Sequence, residues 1–293
     1  MSDKASIRAA FNAAAHGYDA AAVLQREVVD RMLDRLAVIR IEPQGMLDAG
    51  CGTGYAGPLL QERYPQTRLV EFDLAPAMLE IARQRGARGW NRWLHGLRGR
   101  PAAVQVCGDI EHMPFADGSL DFVWSSLALQ WCETPDKAFA ECLRVLRPGG
   151  LFLFSTLGPD TLKELRAAFS GVDEHAHVNR FIDMHDLGDA LGRVGFSAPV
   201  MEMENLVMTY TSVREVLADL KGIGAHSLRG GDRRSGLMGK QAWRSMEASY
   251  ERFRADGLLP ATYEVIYGHA WKGEPAARTL PDGRQIINFR PRT

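Results

Sequence analysis

What the 293-residue sequence lacks narrows its possibilities first. Its four cysteines (Cys51, Cys107, Cys132 and Cys142) are far apart and form no C-x-x-C pair. Buried free thiols in a reducing compartment are therefore expected, rather than disulfides or a metal site. Excess charge of one sign is missing too. Thirty-five basic residues against 36 acidic ones leave a net charge of −1, so no whole-molecule attraction draws the chain to nucleic acid or an anionic membrane. No run approaches the 18 apolar residues of a membrane span. Met1 to Ala10 carry Asp3, Lys4 and Arg8 with no apolar segment behind them, so no secretory signal is read and the expected location is the cytoplasm. With 46% hydrophobic and 24% charged residues, what remains is an ordinary globular composition, long enough for one elaborated α/β domain.

What is present is organised around Met46-Leu47-Asp48-Ala49-Gly50-Cys51-Gly52-Thr53-Gly54. An apolar stretch ends in an acid, and three glycines follow at every second position. That pattern predicts a buried strand turning sharply into a helix near Tyr55, with a ligand close to the main chain. Asp48 at the strand end faces that ligand in this reading. Gly52-Thr53-Gly54-Tyr55-Ala56-Gly57 also satisfies G-x-G-x-x-G, with Glu71 and Asp73 downstream, so a dinucleotide fingerprint is formally present. An acid and a glycine fit poorly at the end of its first strand.

Taken in order, residues 5–22 are Ala-rich, with Phe11, His16 and Tyr18 interspersed. Leu24, Val28, Met32, Leu36 and Ile39 then mark one face of a helix from Ala20 to about Ile39. Tyr18 reads as a staple at that helix start or as part of a lid. Gln44–Ala49 is strand one, and the next helix runs to about Arg63. Arg68–Asp73 is strand two, Val104–Cys107 strand three, Leu120–Ser126 strand four and Leu151–Thr156 strand five, the last entered through a Leu146–Gly150 turn. Strand and helix alternate through residues 45–156, which predicts a doubly wound parallel sheet with its ligand over the carboxyl ends of strands one and two.

Asp48-Ala49-Gly50-Cys51-Gly52-Thr53-Gly54, Phe72-Asp73-Leu74, Gly108-Asp109-Ile110, Asp121–Ser126 and Leu146–Gly150, in this order, resemble the class I S-adenosylmethionine (SAM) methyltransferases. The glycine loop resembles their motif I. The resemblance implies a seven-stranded Rossmann-like sheet with SAM as cofactor, held by Tyr18, Gln25, Asp48, Gly50, Gly52, Gly54, Asp73, Leu74, Met78, Asp109, Ile110 and Ser126. Asp73 would accept hydrogen bonds from both ribose hydroxyls, Asp109 would reach the adenine amino group, and the Ile110 N–H would meet a ring nitrogen.

Five further segments are more selective: Phe11–Asp19 with Leu24–Glu27, Ser126–Cys132, Phe154–Leu165, His177–Phe181 and Asp219–Ala225. Together they resemble the malonyl-[acyl-carrier protein] O-methyltransferase family of biotin synthesis over essentially the whole chain. The implied reaction methylates the free carboxylate of a malonyl thioester on an acidic acyl-carrier protein, with no nucleic acid or membrane partner. A carboxylate is already ionised near neutral pH, so no general base is required. Arginine suits such a substrate because its planar fork meets both oxygens. Arg180 is the first candidate and Lys221 the second, while Tyr18, Gln130 and Trp131 would line the methyl channel. His177 reads as a core or capping histidine.

The expected organisation is an N-terminal helical lid (1–43), a SAM-binding core (44–208), a helical substrate cap (209–260) inserted before the last strand, and that strand with a tail (261–293). The Arg/Trp-rich stretch 88–100 and the polar loop Ser227–Gly239 (Arg229, Arg233, Arg234) are candidate docking surfaces. Two alternatives share the core: a SAM-binding arginine hydroxylase of the assembly-factor type, and a SAM-binding adaptor without turnover. A nucleic-acid methyltransferase is disfavoured by the near-neutral charge and the lack of an Asn-Pro-Pro-Tyr type motif.

Overall fold

The computed structural model describes residues 3–88, 101–132, 134–172, 177–223 and 239–274, with the side chains of 87 and 88 excepted. Two helices open the chain, α1 (Asp3–Ala21) and α2 (Val23–Leu36), interrupted at Ala22 (φ −81°, ψ 44°). β1 (Gly45–Ala49), α3 (Ala56–Arg63), β2 (Arg68–Asp73), α4 (Pro76–Arg88), β3 (Val104–Cys107), β4 (Leu120–Ser126), α5 (Pro135–Val145) and β5 (Leu146–Leu157) form the wound core. α6 (Lys163–Phe169), α7 (Met184–Val194), β6 (Phe196–Tyr210), α8 (Val213–Gly222), α9 (Lys240–Glu251) and β7 (Leu259–Lys272) complete the chain.

The sheet has seven strands in the order β3-β2-β1-β4-β5-β7-β6. β1 pairs in parallel with β2 and β4, while β7 runs antiparallel between β5 and β6. Period-two alternation explains why helices cover both faces. Met46, Phe122, Trp124, Leu151, Leu153 and Tyr267 join one buried cluster with α2, α6 and α9. Leu47, Val123, Phe152, Phe154 and Ile266 join the other with α5 and α7. Chain order reverses between β1 and its neighbours β2 and β4, which opens a crevice at their carboxyl ends.

The expected core strands are present, and the predicted α8 and α9 do lie between β6 and the last strand. Three local expectations are corrected. The Leu146–Gly150 turn is absorbed into β5 as a bulge, because the pairing jumps from Leu120↔Leu146 to Phe122↔Leu151. Tyr18 lies near the end of α1 rather than as a staple at the start of α2, since the helix break falls at Ala22. Cys132 and Cys142 are buried as expected, but Cys51 is half-buried and Cys107 exposed; all four are free.

Candidate active site

The crevice holds a cleft open to solvent, with about 1000 Å3 of space between its walls, open solvent included. Its floor comes from strand ends: Gly50 and Gly52 after β1, Phe72, Asp73 and Leu74 at β2, Gly108 to Ile110 after β3, and Ser126 to Ala128 after β4. α1 roofs it with Lys4, Ile7, Phe11 and Tyr18, and α2 adds Leu24 and Gln25. Gln130, Trp131, Leu157 and Ile223 close another wall. Phe11 meets Trp131 edge-on at 5.3 Å, so roof and wall touch through aromatic rings.

The glycine loop is shaped by two close approaches. Gly50 (φ +83°) sits where a Cβ would overlap the Cβ of Ala128. Gly54 (φ +75°) abuts α4, where a Cβ would lie 2.7 Å from Ala82 Cβ. The N–H groups of Gly50 and Cys51 both donate to the Phe72 carbonyl, tying the loop to the end of β2. Asp73 Oδ2 accepts from the Gly52 N–H at 2.9 Å and Oδ1 from Ala75 N–H at 2.8 Å. Burial raises the Asp73 pKa, and the N–H donors of Ala75 and Gly52 partly offset that.

Asp48, in β1 just before the loop, is 1% exposed, and its Oδ2 has no hydrogen-bond partner among the described residues. Burial first, then Glu71 and Asp73, push its carboxyl well above the usual range. A raised carboxyl costs the fold nothing below the ordinary value near 4 and progressively more as pH rises through the folded value. Asp48→Asn is therefore expected to raise the melting temperature at pH 7 by a few degrees, roughly 2 kcal/mol for replacing one unpartnered buried carboxyl with a neutral amide. The gain should shrink toward pH 4, and thermal scans at both pH values check it.

Tyr18, Gln25, Gly50, Gly52, Asp73, Leu74, Met78, Asp109, Ile110, Ser126, Gln130 and Trp131 are brought together as cavity lining. Asp48 and Gly54 are not in that lining; Asp48 is buried at the end of β1, and Gly54 lets the loop pack on α4. Arg180 is exposed on the segment after His177 and does not line the cavity, and Lys221 is exposed as well. His177 is half-buried and stacks on Phe169 with ring centroids 3.7 Å apart. The 89–100 and 227–238 stretches lie outside the described residues. Sequence reasoning missed Lys4, Ile7 and Phe11 as site residues. With Tyr18 they recur at steps of three, four and seven, which is one helical face.

The residues fit SAM on several counts. Gly52 lines the cavity with φ +54° and open space where a Cβ would stand, so a ligand can lie against the backbone. Gln25 also lines the cavity, and its buried Oε1 has no partner among the described residues. Carboxylates at the ends of adjacent strands, Asp73 and Asp109, suit the hydroxyl and amino donors of a nucleoside.

Fold and cleft together define a Rossmann-like, SAM-dependent methyltransferase. Residues 47–154 match the methyltransferase domain family. Among solved structures, the YcgJ protein of Bacillus subtilis superposes with a TM-score of 0.56 at 15% identity, covering 85% of this chain and 99% of that one. Phosphoethanolamine N-methyltransferase 2 of Haemonchus contortus, solved with SAM, gives 0.52 at 18% identity, covering 90% and 57%. Closer in sequence are malonyl-[acyl-carrier protein] O-methyltransferases. That of Laribacter hongkongensis is 58% identical, covering 99% of this chain and 96% of its own. That of Gallionella capsiferriformans is 54% identical over 97% and 96%, and that of Legionella pneumophila 40% over 94% and 93%. The chain belongs to the malonyl-[acyl-carrier protein] O-methyltransferase family. Among the described residues no helix is long and apolar enough to cross a membrane.

Proposed function

We propose that this protein methylates the free carboxylate of a malonyl group carried on acyl-carrier protein, giving the methyl ester that primes pimeloyl and biotin synthesis in the cytoplasm. The observation that carries the reading is the near full-length identity to relatives bearing that name. When bound, SAM supplies an electrophilic methyl group on a sulfonium sulfur that departs as a neutral thioether. Asp73 would hold the ribose hydroxyls, Asp109 and the Ile110 N–H the adenine edge, and the glycine loop with Gln25 the methionine portion.

The protein's remaining task is to align a carboxylate oxygen and exclude water. A carboxylate nucleophile is already ionised near neutral pH and needs no base to activate it. The Tyr18 pKa is raised by burial, then by Asp73 and Asp19, so the hydroxyl stays a donor at neutral pH. Gln130 is oriented by its Nε2 donating to the Leu127 carbonyl at 2.6 Å and by Thr156 Oγ1 donating to its Oε1 at 3.3 Å. These two polar groups are assigned the malonyl carboxylate, with Trp131 as an apolar wall. kcat is accordingly expected to be flat between about pH 6 and pH 8; a bell-shaped profile there would indicate a titrating base.

Arg180 is exposed and would reach the carboxylate only by an inward swing of its side chain and segment. Gln130→Leu is expected to lower kcat/KM for the malonyl substrate by about 10- to 100-fold, one lost hydrogen bond to a charged group, and Arg180→Ala by less than threefold. A larger loss for Arg180→Ala would restore the arginine to the carboxylate. Residues 209–260 are read as the substrate cap and 1–43 as the lid. An acidic carrier would dock on the basic 227–239 loop, so reversing Arg229, Arg233 and Arg234 should raise KM for the carrier-bound substrate.

Mass spectrometry of the purified protein with SAM tests the reaction, with malonyl-carrier protein, malonyl-coenzyme A and free malonate in parallel. A one-methyl gain on the carrier-bound malonyl group is expected. SAM binding without gain on any malonyl species would return the hydroxylase or adaptor readings.

A further inference from the structure

Lys4 is a lysine in the first turn of α1 that nonetheless lines the cavity, with only 17% of its side chain exposed. Its Nζ donates to Asp109 Oδ1 at 2.7 Å and forms an ion pair with Glu111 Oε2 at 2.5 Å. Asp109 Oδ1 also accepts the Glu111 N–H at 3.0 Å, so that oxygen is fully used and Oδ2 is the one left for a ligand. Glu111 is buried and additionally accepts the Thr134 N–H at 2.9 Å. Burial works to lower the lysine pKa, but the bonds to Asp109 and Glu111 outweigh it and the net shift is upward, so the ammonium stays charged.

The other end of α1 is tied to the glycine loop and α4. Thr53 Oγ1 donates to Asp19 Oδ1 at 2.6 Å, Arg85 pairs with Asp19, and Asn12 Oδ1 accepts the Ala77 N–H at 3.0 Å. The roof is thus pinned at both ends, and the pin at its start is made on Asp109, a residue lining the cleft.

We propose that Lys4 is a positioning residue for cofactor binding: it sets the Asp109 carboxylate so that one oxygen faces the nucleoside base, and it latches α1 over that end of the cleft. The inference rests on SAM occupying this cleft. It follows that ligand affinity and roof closure are coupled through one ammonium group. Removing the charge frees Asp109 to rotate and leaves two carboxylates facing each other.

Calorimetry with S-adenosylhomocysteine, hydrogen exchange over residues 3–21 and steady-state kinetics on wild type, Lys4→Met and Lys4→Arg test this. Lys4→Met is expected to bind S-adenosylhomocysteine at least tenfold more weakly and lose ligand-induced protection of 3–21. Its kcat at saturating SAM should stay within twofold of wild type, and Lys4→Arg should recover most of the affinity. An unchanged Kd for Lys4→Met would overturn the latch, as would a fall in kcat without a rise in KM for SAM. If wild type itself failed to bind S-adenosylhomocysteine, the cofactor assignment of the cleft would fall, and the latch with it.

Discussion

Asp73→Ala is expected to weaken SAM binding by at least a hundredfold and to lower kcat/KM in proportion. The carboxylate sits at the end of β2 in the cavity wall, with each oxygen already accepting one backbone N–H. Each oxygen keeps lone-pair capacity for a hydroxyl donor. Two charge-assisted bonds at about 1.5–3 kcal/mol each would together exceed the roughly 2.8 kcal/mol that a hundredfold represents. Alanine also frees the Gly52 N–H and slackens the loop. Asp73→Asn separates these losses: it retains the shape and one acceptor, so a deficit of about tenfold is expected. Calorimetric titration with SAM reads both. Equal affinity for wild type and Asp73→Ala would move the ribose site elsewhere.

The second large effect is expected at Gly50. A Cβ there meets Ala128 Cβ, and the residue has φ +83°. The left-handed conformation costs a non-glycine residue about 1–2 kcal/mol, and forcing a methyl into a packed contact adds about 1–3 kcal/mol. Gly50→Ala should therefore lose roughly 3 kcal/mol, a drop of about 6–12 °C in melting temperature, and displace the loop enough to impair SAM binding. Adding Ala128→Gly removes the overlap but not the backbone cost, so the double variant should recover only part of the loss. Full recovery would mean that the backbone conformation costs little; no recovery would mean that the overlap is harmless.

The cofactor half of the site was legible because its demands are short-range. The first strand end and its glycine loop lie within a few residues of one another, and Asp73 and Asp109 each lie at or just past the end of their own strand. β1, β2, β3 and β4 came out close to their observed bounds for the same reason. What stayed hidden depends on tertiary distance. The Ala-rich start of the chain has no continuous apolar stripe, so the expected lid (1–43) names no lining residue before Tyr18, although Lys4, Ile7, Phe11 and Tyr18 share a face. Arg180 has the chemistry to meet a carboxylate, but its exposure depends on how the 177–181 segment packs, which sequence does not show. Gly54 and Asp48 belong to the motif but are not part of the cleft lining: Gly54 packs on α4 and Asp48 is buried.

The strand order also dictates how the chain assembles. β7 lies between β5 and β6, so residues 146–157 and 196–210 cannot be joined until 259–272 arrive. During synthesis the cofactor half can form from the first 126 residues, while β5 and the 15-residue β6 each wait with an open row of backbone donors and acceptors. Late closure over so long a sequence separation is slow and exposes sticky edges. A nascent chain paused before Leu259 should therefore depend on chaperones and aggregate when released early. Fusing material after β7 should disturb folding far less than a stall a few residues before it.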